Sequence, residues 1–384
     1  MRIGIDARFF GGEQSKGLGR YTQKLIEYLA ETTSDDTYVI FLQPESIPHW
    51  TITDPRFEIV KAPYRWYTLA EQIFMPLTIA RAHVDLMHFP HFNVPLLYRR
   101  PYIVTIHDLI ILHFATERAT TLGPLLYWFK HQAGQMVMRH AVHHAQHILT
   151  VSEFSKRDII NYYGIDDSLV SVTYEAAEVQ DSLVFNEKEQ ERVLRTYGIT
   201  GRYVLYIGNA YPHKNLEMLI EAASQYKKTR GSEQLRFVFV GKEDYFYSRL
   251  KHLAWAKNVD DIVTFTGFVP DNELPVLYHN ALVYAFPSAY EGFGLPPLEA
   301  MALGTPVVSS NASCLPEILG DAALYFDPHD VSGILQAIHR VMNSSEQREL
   351  LIARGLRRVR QFSWKRMAEQ TVSMYAKYRS KSTS

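Results

Sequence analysis

The chain of 384 residues carries 40 basic and 41 acidic side chains, a net charge of −1, which excludes bulk electrostatic attraction to nucleic acid as its mode of action. Its length exceeds what one hydrophobic core supports, and 47% hydrophobic with 21% charged residues describes a folded protein of two domains, with disorder expected only over 380–384. The single cysteine, Cys314, excludes an intrachain disulfide and a cysteine-based zinc site, and it suits a reducing compartment, so a cytoplasmic location is expected.

In chain order, the first half alternates short apolar runs with helical patterns. Strands are expected at 2–5, 38–42, 86–89, 103–106 and 147–151, with crossover helices at 18–32 and 152–163. The opening strand ends in Asp6-Ala-Arg8 and lacks the apolar core of a signal peptide; no apolar stretch reaches the roughly 20 residues that span a bilayer. A polar stretch from Glu175 to Thr200 interrupts the periodicity, and a linker is expected at 179–200. A second series follows, with strands at 203–207, 236–240, 262–265, 282–286, 306–309 and 323–326 and helices between them. Strand–helix alternation predicts parallel sheets, whose ligands bind beyond the carboxyl ends of the strands.

Four segments lie at such ends. Gly11-Gly12 through Gly17-Leu-Gly19-Arg20 is a glycine-rich turn entering a helix; it suits a sugar or phosphate as well as it suits a surface loop. Thr105-Ile-His107-Asp108 closes a buried strand on a polar pair, where His107 is a candidate catalytic group or a structural hydrogen bonder. Gly208-Asn209 through His213-Lys214-Asn215 sets a lysine at a helix start, unfavourable against the helix dipole unless an anion is shared there. Pro287 through Glu291-Gly-Phe293-Gly294-Leu295-Pro-Pro-Leu-Glu299 holds two carboxylates eight positions apart. Dipole compensation explains Glu299 alone; it does not explain Glu291 with its two glycines, Gly292 and Gly294.

These segments, with Gly267-Phe268-Val269 and the ending Gln361-Phe-Ser-Trp364, resemble in order and over nearly the whole chain the family-4 retaining glycosyltransferases, and mannosyltransferases among them. The resemblance implies the α/β GT-B architecture: two Rossmann-like domains whose parallel sheets face across a cleft, an acceptor-side domain at 1–178, a nucleotide-sugar domain at 201–360, and a last helix at 361–384 crossing back to the first domain. It implies that Glu299 binds the donor ribose, Lys214 the diphosphate and Glu291 the donor sugar. The backbone at Phe293, Gly294 and Leu295 meets sugar hydroxyls and phosphate, Gly12 approaches the donor, and Phe268 borders the base. His107 borders sugar and acceptor, with Asp108 and Arg20 on the acceptor side. Many relatives carry arginine where this chain has Asn209, which adds no charge, so more of the diphosphate falls to Lys214, with His213 or Arg20 as helpers.

The expected reaction moves a sugar with retention from a nucleotide donor, GDP-mannose as the best single choice, to a saccharide or lipid-linked saccharide acceptor. No Asp-x-Asp triplet that would hold a diphosphate-bound cation occurs, so no metal and no cofactor are expected. A sugar-nucleotide epimerase, a phosphorylase and a non-catalytic sugar-nucleotide-binding subunit stand as alternatives. Tyr64-Arg-Trp-Tyr67, Leu96-Leu-Tyr-Arg-Arg100 and Leu125-Leu-Tyr-Trp-Phe-Lys130 interleave aromatic and cationic residues. Such segments suit peripheral contact with anionic headgroups at the inner face of a membrane, and equally suit core helices with solvated basic edges.

Overall fold

The structure, a computed structural model, describes residues 1–11, 17–114, 124–178, 186–230 and 235–379. The chain divides into two compact units, the first built from Met1–His113, Gly123–Glu175 and Ser363–Ser384, the second mainly from Ala176–Phe362.

In the first unit the strands are β1 (Arg2–Asp6), β2 (Thr37–Leu42), β3 (Phe57–Lys61), β4 (Leu86–Phe89), β5 (Tyr102–Thr105), β6 (His147–Thr150) and β7 (Val170–Val172). The helices between them are α1 (Leu18–Glu31), α2 (Leu69–Arg81), α3 (Ile110–His113), α4 (Pro124–His144) and α5 (Glu153–Tyr163). The strands pair in parallel in the order β3-β2-β1-β4-β5-β6-β7. Helix α1 buries Tyr21, Leu25, Ile26 and Leu29, one apolar face at helical spacing. Thr68 and Ser152 cap α2 and α5 by accepting the N–H groups of Glu71 and Ser155, and Gly164, at φ 65°, ends α5 in the left-handed conformation.

The second unit carries β8 (Tyr203–Ile207), β9 (Arg236–Val240), β10 (Val263–Gly267), β11 (Val283–Phe286), β12 (Val307–Ser310) and β13 (Ala323–Phe326). Its helices are α6 (Glu187–Thr196), α7 (Leu216–Arg230), α8 (Tyr245–Ala256), α9 (Leu274–Asn280), α10 (Leu295–Ala302), α11 (Leu315–Leu319), α12 (Val331–Asn343) and α13 (Ser345–Val359). Its sheet is also parallel, in the order β10-β9-β8-β11-β12-β13.

The strand order reverses between β1 and β4 in one sheet and between β8 and β11 in the other. At such a reversal neighbouring connections leave to opposite faces and open a crevice at the carboxyl edge. The loops after β1 and β4, and those after β8 and β11, are therefore placed to hold ligands.

The last helix, α14 (Trp364–Arg379), belongs to the first unit and packs along α1. Its fully buried Tyr375 hydroxyl lies 2.6 Å from His88 Nδ1, and His88 Nε2 lies 2.9 Å from Thr105 Oγ1. Burial, with the charge of His107 as the smaller cause, pushes the His88 imidazole down to about 3, so it is neutral and fits this chain of neutral groups.

Several elements carry little sequence signal. Edge strand β3 has no fully buried position, Pro76 interrupts the helical reading of α2, and β7 has three residues. Helix α6 lies within the stretch expected as linker. Asn186 caps it, Arg192 pairs with Glu189 at 2.7 Å and Glu273 at 2.6 Å, and Val193 is buried, so a mostly polar segment folds on surface ion pairs.

Gly241, just after β9, has no room for a side chain: an added methyl would collide with the Gly208 carbonyl oxygen and the Tyr247 hydroxyl. That hydroxyl donates to the carbonyls of Gly208 (2.7 Å) and Val240 (3.0 Å), tying α8 to the turn after β8. Gly241→Ala is expected to cost about 1–3 kcal/mol of stability by overpacking. Urea denaturation reads it, and an unchanged midpoint would show that this turn is loose.

Candidate active site

Beyond β8 the chain turns through Gly208 and Asn209 into a short 3-10 turn, Pro212–Lys214, and Asn215 takes a left-handed φ of 57° before α7. The Asn215 carboxamide donates to the carbonyls of Pro287 (3.1 Å) and Pro328 (2.7 Å), and the Ala289 N–H donates to the His213 carbonyl (2.8 Å). These bonds fasten the loop after β8 to the loop after β11, across the strand-order reversal. Lys214 and Glu291 meet there: Nζ donates to both carboxylate oxygens, at 2.7 and 2.9 Å. Their side chains are 15% and 9% exposed, and the Glu291 N–H donates to Ser313 Oγ at 2.9 Å.

An ion pair this buried adds little net stability, because desolvation of both charges offsets their attraction, yet losing one partner strands the other at a cost of about 3–5 kcal/mol. An ammonium has three N–H groups and Glu291 takes two. The third is available to an anion.

Gly294, at φ 101°, opens α10, and a Cβ there would lie 3.0 Å from the Leu315 side chain. Pro296 and Pro297 bring no N–H, while the N–H groups of Gly294 and Leu295 have no acceptor among the described residues. The free positive end of a helix thus begins near the carboxyl edge of β11. Phe293 offers its carbonyl to the Cys314 thiol at 3.1 Å, and its ring meets Phe362 edge-on at 5.5 Å. Glu299, one turn into α10, accepts from the Tyr278 hydroxyl at 3.3 Å. Phe268 is exposed after β10, and the Asn209 side chain, also exposed, accepts the Tyr211 N–H at 3.4 Å within its own turn. Burial, then the neighbouring Lys214 charge, pushes His213 down to about 4 despite Glu291, so it adds no cation near neutral pH.

In the first unit, Gly12 lies outside the described residues. Arg20 is half-buried in the first turn of α1, and Asp108 accepts the Ile110 N–H at 2.9 Å, which caps α3. His107 follows β5. Its Nδ1 lies 3.1 Å from Glu175 Oε1, its Nε2 lies 3.0 Å from the Pro90 carbonyl, and its ring stands edge-on to Tyr21 at 4.7 Å. Burial alone would depress its pKa. The hydrogen bond and charge of Glu175, the Pro90 carbonyl and Asp108 outweigh burial and raise it above the ordinary value. With an acceptor at each nitrogen, both ring nitrogens are engaged, and these partners favour the charged form of His107 over the neutral one.

Of the residues singled out in the sequence, Lys214 and Glu291 are in direct contact, with Gly294, Leu295 and Glu299 on the helix that follows. His107, Asp108 and Arg20 belong to the other unit. Sequence reasoning missed Glu175, 68 positions from His107 at the start of a polar stretch, and Ser313, which holds the Glu291 backbone. Neither lies near a motif.

The model of glycosyl transferases group 1 matches residues 189–358, and that of glycosyltransferase family 4 matches residues 15–180. O-antigen chain mannosyltransferase B of Escherichia coli is 34% identical over 377 residues, covering 94% of this chain and 95% of its own. The chain belongs to glycosyltransferase family 4. This transferase is a hexosyltransferase, mannosyltransferase-like in sequence. It is also 27% identical to O-antigen chain mannosyltransferase RfbU of Salmonella typhimurium, over 86% of this chain and 88% of that one. Its fold is that of a sucrose-phosphate synthase of Thermosynechococcus elongatus (TM-score 0.76, 20% identity, 99% of each chain). Anabaena HepE, solved with UDP and glucose, shares it too (TM-score 0.74, 16% identity, 98% of this chain and 100% of that one).

The raised pKa of His107 gives the transferase a testable pH dependence. Between the unfolded value near 6.5 and the higher folded value, the folded protein binds the extra proton. Stability from this group is complete below about 6.5 and lost as pH rises through the folded pKa. Urea midpoints should therefore fall with rising pH over that window, and Glu175→Gln, which removes the main partner, should flatten the fall. An unchanged slope in that variant would assign the dependence to another group.

Proposed function

We propose that the transferase moves mannose from GDP-mannose, with retention of anomeric configuration and without a metal ion, to a saccharide or lipid-linked saccharide acceptor in the assembly of a surface polysaccharide. The observation that carries this reading is the Lys214–Glu291 pair beside the open N–H groups of Gly294 and Leu295. The two mannosyltransferases of O-antigen chains named above support the sugar and the product class.

In glycosyl transfer a diphosphate leaves as the sugar gains oxocarbenium character, so negative charge must be stabilised on one side and positive charge tolerated on the other. Lys214 serves the first need with its remaining N–H, aided by the two N–H groups at the start of α10. Glu291 serves the second. Its carboxylate orients the ammonium and supplies negative charge where the sugar becomes cationic. Glu299, a carboxylate on the same helix, suits the paired hydroxyls of a ribose. Transfer with retention uses the leaving phosphate oxygen as the acceptor's base, so no protein nucleophile takes part. This agrees with a His107 whose nitrogens are both engaged.

Transfer from GDP-mannose should persist when a chelator is added to metal-free buffer; a loss of rate restored by Mg²⁺ would sink the metal-free reading. Thermal stabilisation by GDP over UDP tests the donor base, and the reverse order would reassign it.

The ion pair separates the residues by their ligands. Lys214→Met should weaken GDP roughly 10- to 100-fold and guanosine hardly at all, since a charge-assisted bond is worth about 1.5–3 kcal/mol. Glu299→Ala should weaken both alike and raise donor KM with a smaller change in kcat. Glu291→Gln should lower kcat by about 100-fold and, because it loosens Lys214, also weaken GDP. If Glu299→Ala left guanosine affinity intact, the ribose would have to be placed elsewhere.

A further inference from the structure

Helix α2 presents an apolar face to solvent. Its inner face buries Glu71, Met75 and Ile79, while Leu69 is 82% exposed, Ile73 50%, Phe74 48% and Leu77 49%. Tyr67, two residues before the helix, is 63% exposed, and so is Leu97 at 62%, in a loop tied to α2 by the Leu96 N–H donating to Gln72 at 2.7 Å. Tyr64 stacks on Phe74 with ring centroids 5.8 Å apart. Exposed leucines scattered singly are ordinary; six large apolar side chains on one helix and its flanking loops are not.

The charge around this face has one sign. Residues 61–83 include Lys61, Arg65 and Arg81, and their only carboxylate is Glu71, which lies beneath the helix 2.6 Å from the buried Arg8 guanidinium. Lys61, Arg65 and Arg81 are exposed, and their side chains make no hydrogen bond or ion pair among the described residues. At the carboxyl end of α2, Lys61, Tyr64, Thr78, Arg81 and His83 line an open pocket of about 560 Å³. The carboxylate at its rim, Glu58, is already paired with Arg2 at 2.7 Å. The pocket therefore offers uncompensated cations next to an apolar stripe.

We propose that this face of α2 seats on a bilayer of anionic phospholipids, with Leu69, Ile73, Phe74 and Leu77 entering the acyl boundary and a lipid phosphate taken between Lys61 and Arg81. A second copy of the chain fits less well, since a two-fold contact would set these cations against one another. The attachment proposed is peripheral, through one helix face lying at the boundary; no helix among the described residues is long and apolar enough to cross a membrane. This deepens the reading of a lipid-linked acceptor, and it requires neither donor nor acceptor to be bound.

Co-sedimentation tests it directly. The full chain should pellet with vesicles of phosphatidylcholine and phosphatidylglycerol in equal parts and stay in solution with phosphatidylcholine alone. Ile73→Glu and Leu77→Glu, at exposed positions, should abolish pelleting. The double variant Lys61→Ala/Arg81→Ala should lower partitioning about 25-fold, roughly fivefold per cation. Trp255→Glu, exposed on α8 of the other unit, should change nothing. Circular dichroism and stabilisation by GDP confirm that each variant is folded. The proposal is overturned if the wild type ignores anionic vesicles, if Ile73→Glu binds like the wild type, or if the chain is a dimer that Ile73→Glu dissociates. Absent transfer from GDP-mannose with vesicle binding intact would fault the donor assignment and leave this surface standing.

Discussion

Both sheets are parallel at every pairing, and this constraint orders the rest of the molecule. A parallel pair cannot be closed by a tight turn, so each strand must send its chain out at the carboxyl edge and return it through a crossover, here mostly a helix. All the loops free to carry chemistry therefore gather at one edge of each sheet. The reversals between β1 and β4 and between β8 and β11 decide where along that edge the crevice opens. Lys214 follows β8 and Glu291 follows β11, so strand order brings their two loops to one place. In the first sheet the loop after β4 supplies the Pro90 carbonyl that holds His107 after β5.

The Lys214–Glu291 pair turns that placement into chemistry. Each side chain gives the other an opposite charge and hydrogen-bond partners where little water reaches, so neither is left uncompensated. Family membership fixes the class of reaction, hexosyl transfer, and the pair sets two opposite charges side by side at the crevice of the second sheet. His107, held between a carboxylate and a carbonyl that favour its charged form, follows the same logic in the other unit.

The α/β class and the family were legible in the sequence because strand–helix alternation and a carboxylate followed closely by two glycines are local signals. The runs at 203–207, 236–240 and 283–286 are apolar over nearly their full length and leave no choice of face. Strand β3 and helix α6 escaped for the opposite reason: one is an edge strand without a fully buried position, the other a polar helix held by Arg192 across to Glu273, 81 positions away. The site shows the same division. Lys214 and Glu291 were each visible, but not that they bind each other, since their contact depends on Asn215 reaching Pro287 and Pro328 through a left-handed turn. Glu175 was invisible because only the fold brings it to His107.

Helix α14 completes the first unit although it follows the whole of the second in the sequence. Tyr375 closes on His88, the Tyr378 hydroxyl donates to the Gln146 carbonyl at 2.6 Å, and Arg379 reaches Asp36 at 2.6 Å. Residues 364–379 leave the ribosome only after 176–362 have been made. Until then His88 lacks the Tyr375 hydroxyl and α1 lacks the helix that packs along it. The usual order of synthesis, amino-terminal domain first, is thus inverted in completion. The second unit, continuous in the chain over almost its whole length, can finish while the first still waits for its last helix.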